Sequence, residues 1–273
     1  MKASAPKYMK KYLLILKNEF QRHLAYRANI ASYSVGHIFE VASQVVVWTV
    51  IFQNASIIKG YTYDEMITYI VIGWFILFAT SNYGFEEKIA KDIHQGTLSN
   101  FITKPVSYLR YMASVSIGRI VFAFVVVVGI ETVLIWLMRD HLILNTQPLV
   151  LLLLLAMIAT AYFIRLFFSV MIGLLAFWLV EISGTYFSLN IISKFLSGAY
   201  FPMGLLPAAF LKTSMFFPFI YTFFIPIQLY LGKITPKEGL YGLVTEFVWL
   251  AILYAGIKTV WHFGLKRYEG VGI

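Results

Sequence analysis

Residues 86–111 read EEKIAKDIHQGTLSNFITKPVSYLRY, a polar stretch held between two strongly apolar ones. Phe85, Ile89 and Ile93 recur at a spacing of four, which predicts a short amphipathic helix. Gly96 interrupts that helix, and Pro105 in NFITKPVS suits the first turn of the next one. A plain connection between two helices needs only a few residues. The 85–113 region is therefore either a solvated interfacial loop or an ordered, mixed-charge docking knob on one side of a membrane.

The membrane follows from composition. The 273 residues are 60% hydrophobic and only 13% charged, with a mean hydropathy of +0.76. Soluble domains run near one quarter charged, so this chain cannot cover a globule with polar surface. The apolar runs are long and do not alternate, which predicts an all-α integral membrane protein rather than a barrel. Six spans are expected, at 30–52, 66–83 and 114–137, two within 148–200, and one at 241–263, all in a single transmembrane domain covering 1–273. The turn between spans four and five falls either at IRLFFS around Arg165 or at LVEISG, where Glu181, Ser183 and Gly184 offer the better turn chemistry. The net charge of +9 sits at membrane flanks, as the positive-inside rule produces, and gives no reason to invoke nucleic acid. Zero cysteines exclude disulfides and thiolate metal sites, and the five histidines show no metal-ligand spacing. No signal-peptide h-region is expected, since only YLLIL precedes Lys17.

Orientation is read from Lys and Arg. Seven of them precede residue 30, Lys88, Lys91, Lys104 and Arg110 lie in the insert, and Lys266 and Arg267 lie in the tail. With an even number of spans these regions share one side, expected to be the cytoplasm, so both termini are inside. Residues 1–29 place Met9, Leu13, Leu16, Phe20 and Leu24 at helical spacing with basic residues opposite. That predicts an amphipathic elbow helix in the interface, the alternative being a simple basic flank.

On the outer side, residues 196–233 read LSGAYFPMGLLPAAFLKTSMFFPFIYTFFIPIQLYLGK and hold four of the eight prolines. Each interior proline removes a backbone bond, so this apolar stretch cannot be one helix. Broken backbone at membrane depth survives only inside protein or along a cavity. Short re-entrant helices are expected over 196–235, acting as a structural plug or as a gate.

These two inserts, in this order, resemble those of ABC-2-type transporter permeases over nearly the whole chain. The residues that carry the resemblance are an I-x-x-G-x-L pattern (Ile93, Gly96, Leu98), KPVS at 104–107, and SG-x-x-FP-x-x-x-LP (Ser197, Gly198, Phe201, Pro202, Leu206, Pro207). The tail LKRYEGVGI is similar to the ending of a bacterial branch assigned to drug efflux. The resemblance implies a cytoplasmic coupling helix, with Ile89, Ile93, Gly96, Leu98, Phe101, Lys104 and Pro105 docking a separate ATP-binding cassette subunit. On the gate reading of the outer segment, the gate lies at Gly198, Pro202 and Pro207. The resemblance also implies two ATPase copies that hold the ATP and Mg, a second permease as homo- or heterodimer, and a bacterial inner-membrane location. This chain has no G-x-x-x-x-G-K-[ST], its one Gly-Lys being Gly232-Lys233 followed by Ile234, so no cofactor and no catalytic residue is expected in it.

Ionisable residues inside spans are rare and face protein or water. At 1.5 Å per residue, Glu40 and Arg119 lie roughly 15 and 10 Å from the cytoplasmic ends of their helices. A pairing of Glu40 with Arg165 or Arg119 is expected, the alternative being a snorkelling Arg119 and a purely structural pair. An embedded lipid-modifying enzyme would need a convergent acid/base or metal set. A secondary transporter would need paired broken helices, and only one broken region is visible. An exporter subunit with an amphiphilic substrate is the reading that remains.

Overall fold

The computed structural model of the chain describes residues 5–25, 27–82, 84–102 and 107–268. Two helices come first, α1 (Ala5–Ala25) and α2 (Arg27–Phe52), followed by a small hairpin of β1 (Ile57–Ile58) and β2 (Tyr61–Thr62). Next are α3 (Tyr63–Ala79), the insert helices α4 (Phe85–His94) and α5 (Ser99–Ile102), and the long α6 (Tyr108–Met138). The second half holds α7 (Pro148–Leu174), α8 (Ser183–Ser197), α9 (Ala208–Ser214), α10 (Phe224–Tyr230) and α11 (Pro236–Arg267).

Local chemistry starts these helices where they start. Thr62 accepts the Glu65 N–H at 3.3 Å while Glu65 accepts the Thr62 N–H at 2.8 Å, a reciprocal box that caps α3. Thr235 and Glu238 cap α11 the same way, with Pro236 in the first turn, and Pro148 opens α7. These three starts lie at one end of the molecule, with the hairpin, residues 139–147 and the end of α10.

Among the described residues, Pro148–Phe177 and Pro236–Arg267 are each long and apolar enough to cross a bilayer. A third crossing is possible by composition if Ala208–Ser214 and Pro218–Tyr230 count as one, but that pair is bent by 99°. The helix of α7 continues as a 3-10 turn at Leu175–Phe177, and the chain reverses at 178–182 before α8. Arg165 is thus inside α7, and the turn lies at LVEISG. Large apolar side chains such as Phe39, Val47, Leu152, Leu155, Phe247 and Ile252 stay exposed on the outward faces of α2, α7 and α11. Exposure of that order fits hydrocarbon and not water.

Packing concentrates at two clusters, one at each end. Near the hairpin, Met66, Ile67, Ile70 and Trp74 of α3 meet Met203, Phe223 and Ile227 of the segment before α11. At the other end Phe85, Ile89, Ile93 and Leu98 meet Leu166, Val170, Leu174 and Phe177 of α7, with Tyr108, Met112 and Ile257. Each insert is therefore the centre of its own core.

Glycines let the inserts approach. A Cβ on Gly173 would stand 2.7 Å from Ile89 Cβ and 3.0 Å from the Glu86 carbonyl oxygen. One on Gly73 would stand 2.7 Å from the Phe223 ring, and one on Gly118 2.7 Å from the Leu16 carbonyl of α1. Helix α1 thus rests on α6, with Leu13 and Leu14 exposed on its other side.

These distances predict opposite outcomes for one substitution made at two helical sites. Gly129 has nothing within 4 Å, so Gly129→Ala should be neutral or stabilising through helix propensity, by up to about 1 kcal/mol. Gly173→Ala gains the same propensity but overpacks α4, at a cost of about 1–3 kcal/mol. Thermal unfolding of the two variants in detergent should place Gly173→Ala below wild type and Gly129→Ala at or above it.

Candidate functional site

Helix α4 begins after Gly84 in the left-handed region (φ +68°) and has one buried and one exposed face. Phe85, Glu86, Ile89, Ala90 and Ile93 are buried, while Glu87, Lys91, His94 and Gln95 are exposed. Gly96 (φ +73°) reverses the chain so that the Leu98 N–H reaches the Asp92 carbonyl at 3.0 Å. Leu98 then closes the bottom of the cluster with no exposure at all.

Polar bonds tie the insert to three other elements. Asp92 accepts the Thr97 hydroxyl at 3.0 Å and the Tyr108 hydroxyl at 2.9 Å, linking α4 to α6. His94 Nε2 lies 3.0 Å from both the Ala176 and Leu179 carbonyl oxygens, so its N–H serves the turn between α7 and α8. Tyr108 stacks on Trp261 of α11 at 5.5 Å, and Ser99 and Tyr268 hydroxyls lie 3.2 Å apart. Burial pushes the Glu86 carboxyl up, which the Gly84 N–H at 3.2 Å opposes. Burial and the neighbouring Asp92 carboxylate push the Tyr108 hydroxyl up too.

The residues expected to dock a partner therefore divide. Ile89, Ile93 and Leu98 are buried in the chain's own core, where they anchor the knob. Gly96 shapes the turn. Phe101 packs on Tyr108 and Tyr111 at 5.1 and 4.8 Å. Lys104 and Pro105 lie outside the described residues. What α4 offers outward is the stripe Glu87, Lys91 and Gln95, at a spacing of four.

At the opposite end Gly198 ends α8 with φ +84° and accepts the Tyr69 hydroxyl at 2.7 Å. Buried Pro202 leads into a 3-10 turn at Met203–Leu205, and exposed Pro207 opens α9. From Gly204, beside Tyr61 of the hairpin, the chain descends until Phe223 lies on Gly73, about 15 Å along α3. Phe219 meets Phe168 of α7 at 5.1 Å, and Tyr230 is back beside Asn145, whose amide donates to the Tyr230 carbonyl at 2.9 Å. Lys233 closes the excursion by donating to the Gly60 carbonyl at 2.7 Å, pairing with Glu65 at 2.8 Å and covering the Tyr61 ring at 4.5 Å. Burial pushes the Tyr61 hydroxyl up to about 12.

The charges in the membrane interior separate into groups. Lys194 of α8 feels both Glu40, exposed on α2, and Arg165 of α7. Arg119 lies elsewhere and acts on Tyr162, which shares a hydrogen-bonded chain with Ser116 and Asn82. So Glu40 and Arg165 both act on Lys194, a residue that the sequence reading passed over. Its signal was the polar run of Asn190, Ser193 and Lys194 within apolar SLNIISKF. Glu246 is buried against Thr160, which donates to it. Among the described residues no group of three or more His, Asp and Glu could hold a metal ion.

Compared with models of protein families, the chain matches the one described as ABC-2 family transporter protein over residues 38–272. No match to it was found among curated proteins or among solved structures.

The Lys233 clamp has a pH signature. Burial opposes ionisation of Glu65, but Lys233 and Thr62 together hold its carboxyl below 4.5. Its contribution is then present above about pH 4.5 and is lost as pH falls through the lowered folded value. Glu65→Gln should lower the melting temperature at pH 7, and the gap to wild type should close by about pH 3 in the same assay.

Proposed function

The chain belongs to the ABC-2 family of transporter proteins, and from that premise we propose that it is the membrane subunit of an ATP-driven exporter in a bacterial inner membrane. A permease of this family is an integral membrane protein and works with an ABC ATPase subunit. Our reading adds six spans, α2, α3, α6, α7, α8 and α11, with α1 as the elbow and 196–235 as a re-entrant outer segment. Both termini are cytoplasmic. Two ATPases, holding the ATP and Mg, and a second permease complete the assembly, and the chain itself performs no catalysis.

One observation supports this most: α4 is built with two faces for two tasks. Its apolar face is locked to α7 at Gly173, and its hydrogen bonds reach α6 and the α7–α8 turn. Its outward stripe carries charge and no packing duty. A partner gripping Glu87, Lys91 and Gln95 would move α6, α7 and the end of α11 as one rigid body. Phe168 lies on the same stretch of α7 as Gly173, so that movement would reach Phe219 at the tip of the outer segment. The outer gate would then act through Gly198, Pro202 and Pro207, where Tyr69 holds the hinge closed.

Reversing the outward charges tests the reading. Glu87→Lys combined with Lys91→Glu should cut the amount of ATPase recovered with the tagged permease at least tenfold, or about 1.4 kcal/mol, with an unchanged melting temperature. Stoichiometric ATPase on that variant, or labelling of residue 91 from outside intact cells, would overturn it.

A further inference from the structure

The buried stripe of α11 runs Gly239, Gly242, Glu246, Leu253 and Ile257, so an acid occupies a place where the pattern calls for an apolar residue. Glu246 is completely buried and meets Thr160 of α7 across the seam between the two helices. The two residues lie roughly 15 and 18 Å from the outer ends of their helices, at matching depth in the apolar part of the bundle. We infer that Glu246 is a proton-binding site: its carboxyl holds one proton while α7 and α11 are packed together, and it ionises only where the two helices part. The site needs a membrane-embedded chain and is independent of ATPase docking.

The surroundings hold no counter-charge, which is the first reason. Around this part of α11 stand Met157 and Thr160 of α7, Ile225 and Leu229 of α10, and Tyr221. No Lys, Arg, His, Asp or Glu occurs in 148–164 or in 213–232, and Glu246 is the one such residue in 239–257. The tyrosines of these neighbouring elements are engaged elsewhere: Tyr162 with the Ser116 hydroxyl at 2.6 Å, Tyr221 with the Met215 carbonyl at 3.1 Å, and Tyr230 with the Asn145 N–H at 3.4 Å. A lone carboxylate there has nothing to offset its loss of water. Hydrogen counting is the second reason. Glu246 Oε1 is buried with no hydrogen-bond partner, and Oε2 rests on the Thr160 hydroxyl. That hydroxyl also lies 3.0 Å from both the Ala156 and Met157 carbonyl oxygens, so its single hydrogen faces three acceptors. An ionised Glu246 has at most that one shared hydrogen. With a proton on Oε2 the bond runs the other way: the carboxyl donates to the Thr160 oxygen, and the hydroxyl hydrogen serves a backbone carbonyl. Every hydrogen then has an acceptor, and Oε1 is left as an uncharged carbonyl oxygen. Tightness is the third reason. A Cβ on Gly242, one turn before Glu246, would stand 2.9 Å from Ile225 and 3.1 Å from Met157. Water reaches the carboxyl only by separating the helices; the O–H bond then breaks, its electron pair stays on Oε2 and the proton passes to that water.

The test uses the full-length chain in dodecyl maltoside and reads the infrared band of a carboxylic acid carbonyl at neutral pH. A component of that band should vanish in Glu246→Gln, move to higher frequency in Thr160→Val, which removes the hydroxyl partner, and persist in Glu86→Gln, which removes the other completely buried acid among the described residues. Stability supplies the second readout. The unfolded chain, whose glutamates ionise near pH 4.3, has released the proton by about pH 5 while the folded chain keeps it. The folding equilibrium then weakens by about tenfold per pH unit, because the folded state binds the extra proton. Glutamine mimics the neutral acid, so the melting temperature of Glu246→Gln should gain on wild type steadily from about pH 5 to about pH 7. A glutamate that is ionised in both states gives a gap that does not change with pH. A band without a component that Glu246→Gln removes, or a gap that stays flat or moves toward wild type as pH rises, would overturn the proposal. If Glu246→Gln does not fold, Thr160→Val decides, since a band that it leaves unmoved overturns the proposal equally.

Discussion

The absence of a side chain at residue 173 is what allows the insert to be part of the bundle. With Ile89 Cβ and the Glu86 carbonyl within about a methyl's reach of Gly173, α4 lies directly on the backbone of α7. Interiors packed this closely shift as units and do not deform smoothly. A displacement of α4 is then a displacement of α7, and five residues along the same helix Phe168 is in contact with the tip of the outer segment. Both inserts thus pack on one short stretch of one helix.

Energetics explain why the apolar face of α4 turns inward. Full burial of a Leu, Ile or Phe side chain is worth roughly 1.5–3 kcal/mol, and Phe85, Ile89, Ile93 and Leu98 are all almost completely buried. Such a face exposed to water would forfeit that stabilisation. A polar stripe can be solvated when vacant and bonded when engaged, which suits a surface that must bind and still transmit motion. The outer segment obeys the same logic in reverse. Its four prolines prevent a continuous helix, so its fixed shape comes from Phe223 on Gly73, the Tyr69 bond to Gly198 and the Lys233 clamp.

Much of this was legible in the sequence where the signal is local. Alternation-free apolar runs announced helices in a membrane, Phe85, Ile89 and Ile93 announced a short amphipathic helix, and the proline spacing announced broken backbone. The turn at 178–182 followed from Glu181, Ser183 and Gly184. What stayed hidden depends on neighbours. Spacing identifies an apolar face but not what it packs against, so the burial of Ile89 and Ile93 on α7 could not be read from the sequence. Lys194 went unnoticed because a lysine in the last turn of an apolar helix reads as an ordinary helix end, and its place beside Arg165 depends on how α8 meets α7. Pairing Glu40 with Arg119 required matching depths on two helices. Depth alone does not say which faces meet.

The charges of Arg165 and Lys194 lie where the two mechanical paths meet. Arg165 is on α7, eight residues from Gly173 and three from Phe168, so a displacement there would bear on the helix that the knob moves and on the tip that the helix moves. The insert on Gly173, the Phe219 ring on Phe168 and the cavity lined by Arg165 all meet α7 within one stretch of residues 165–173.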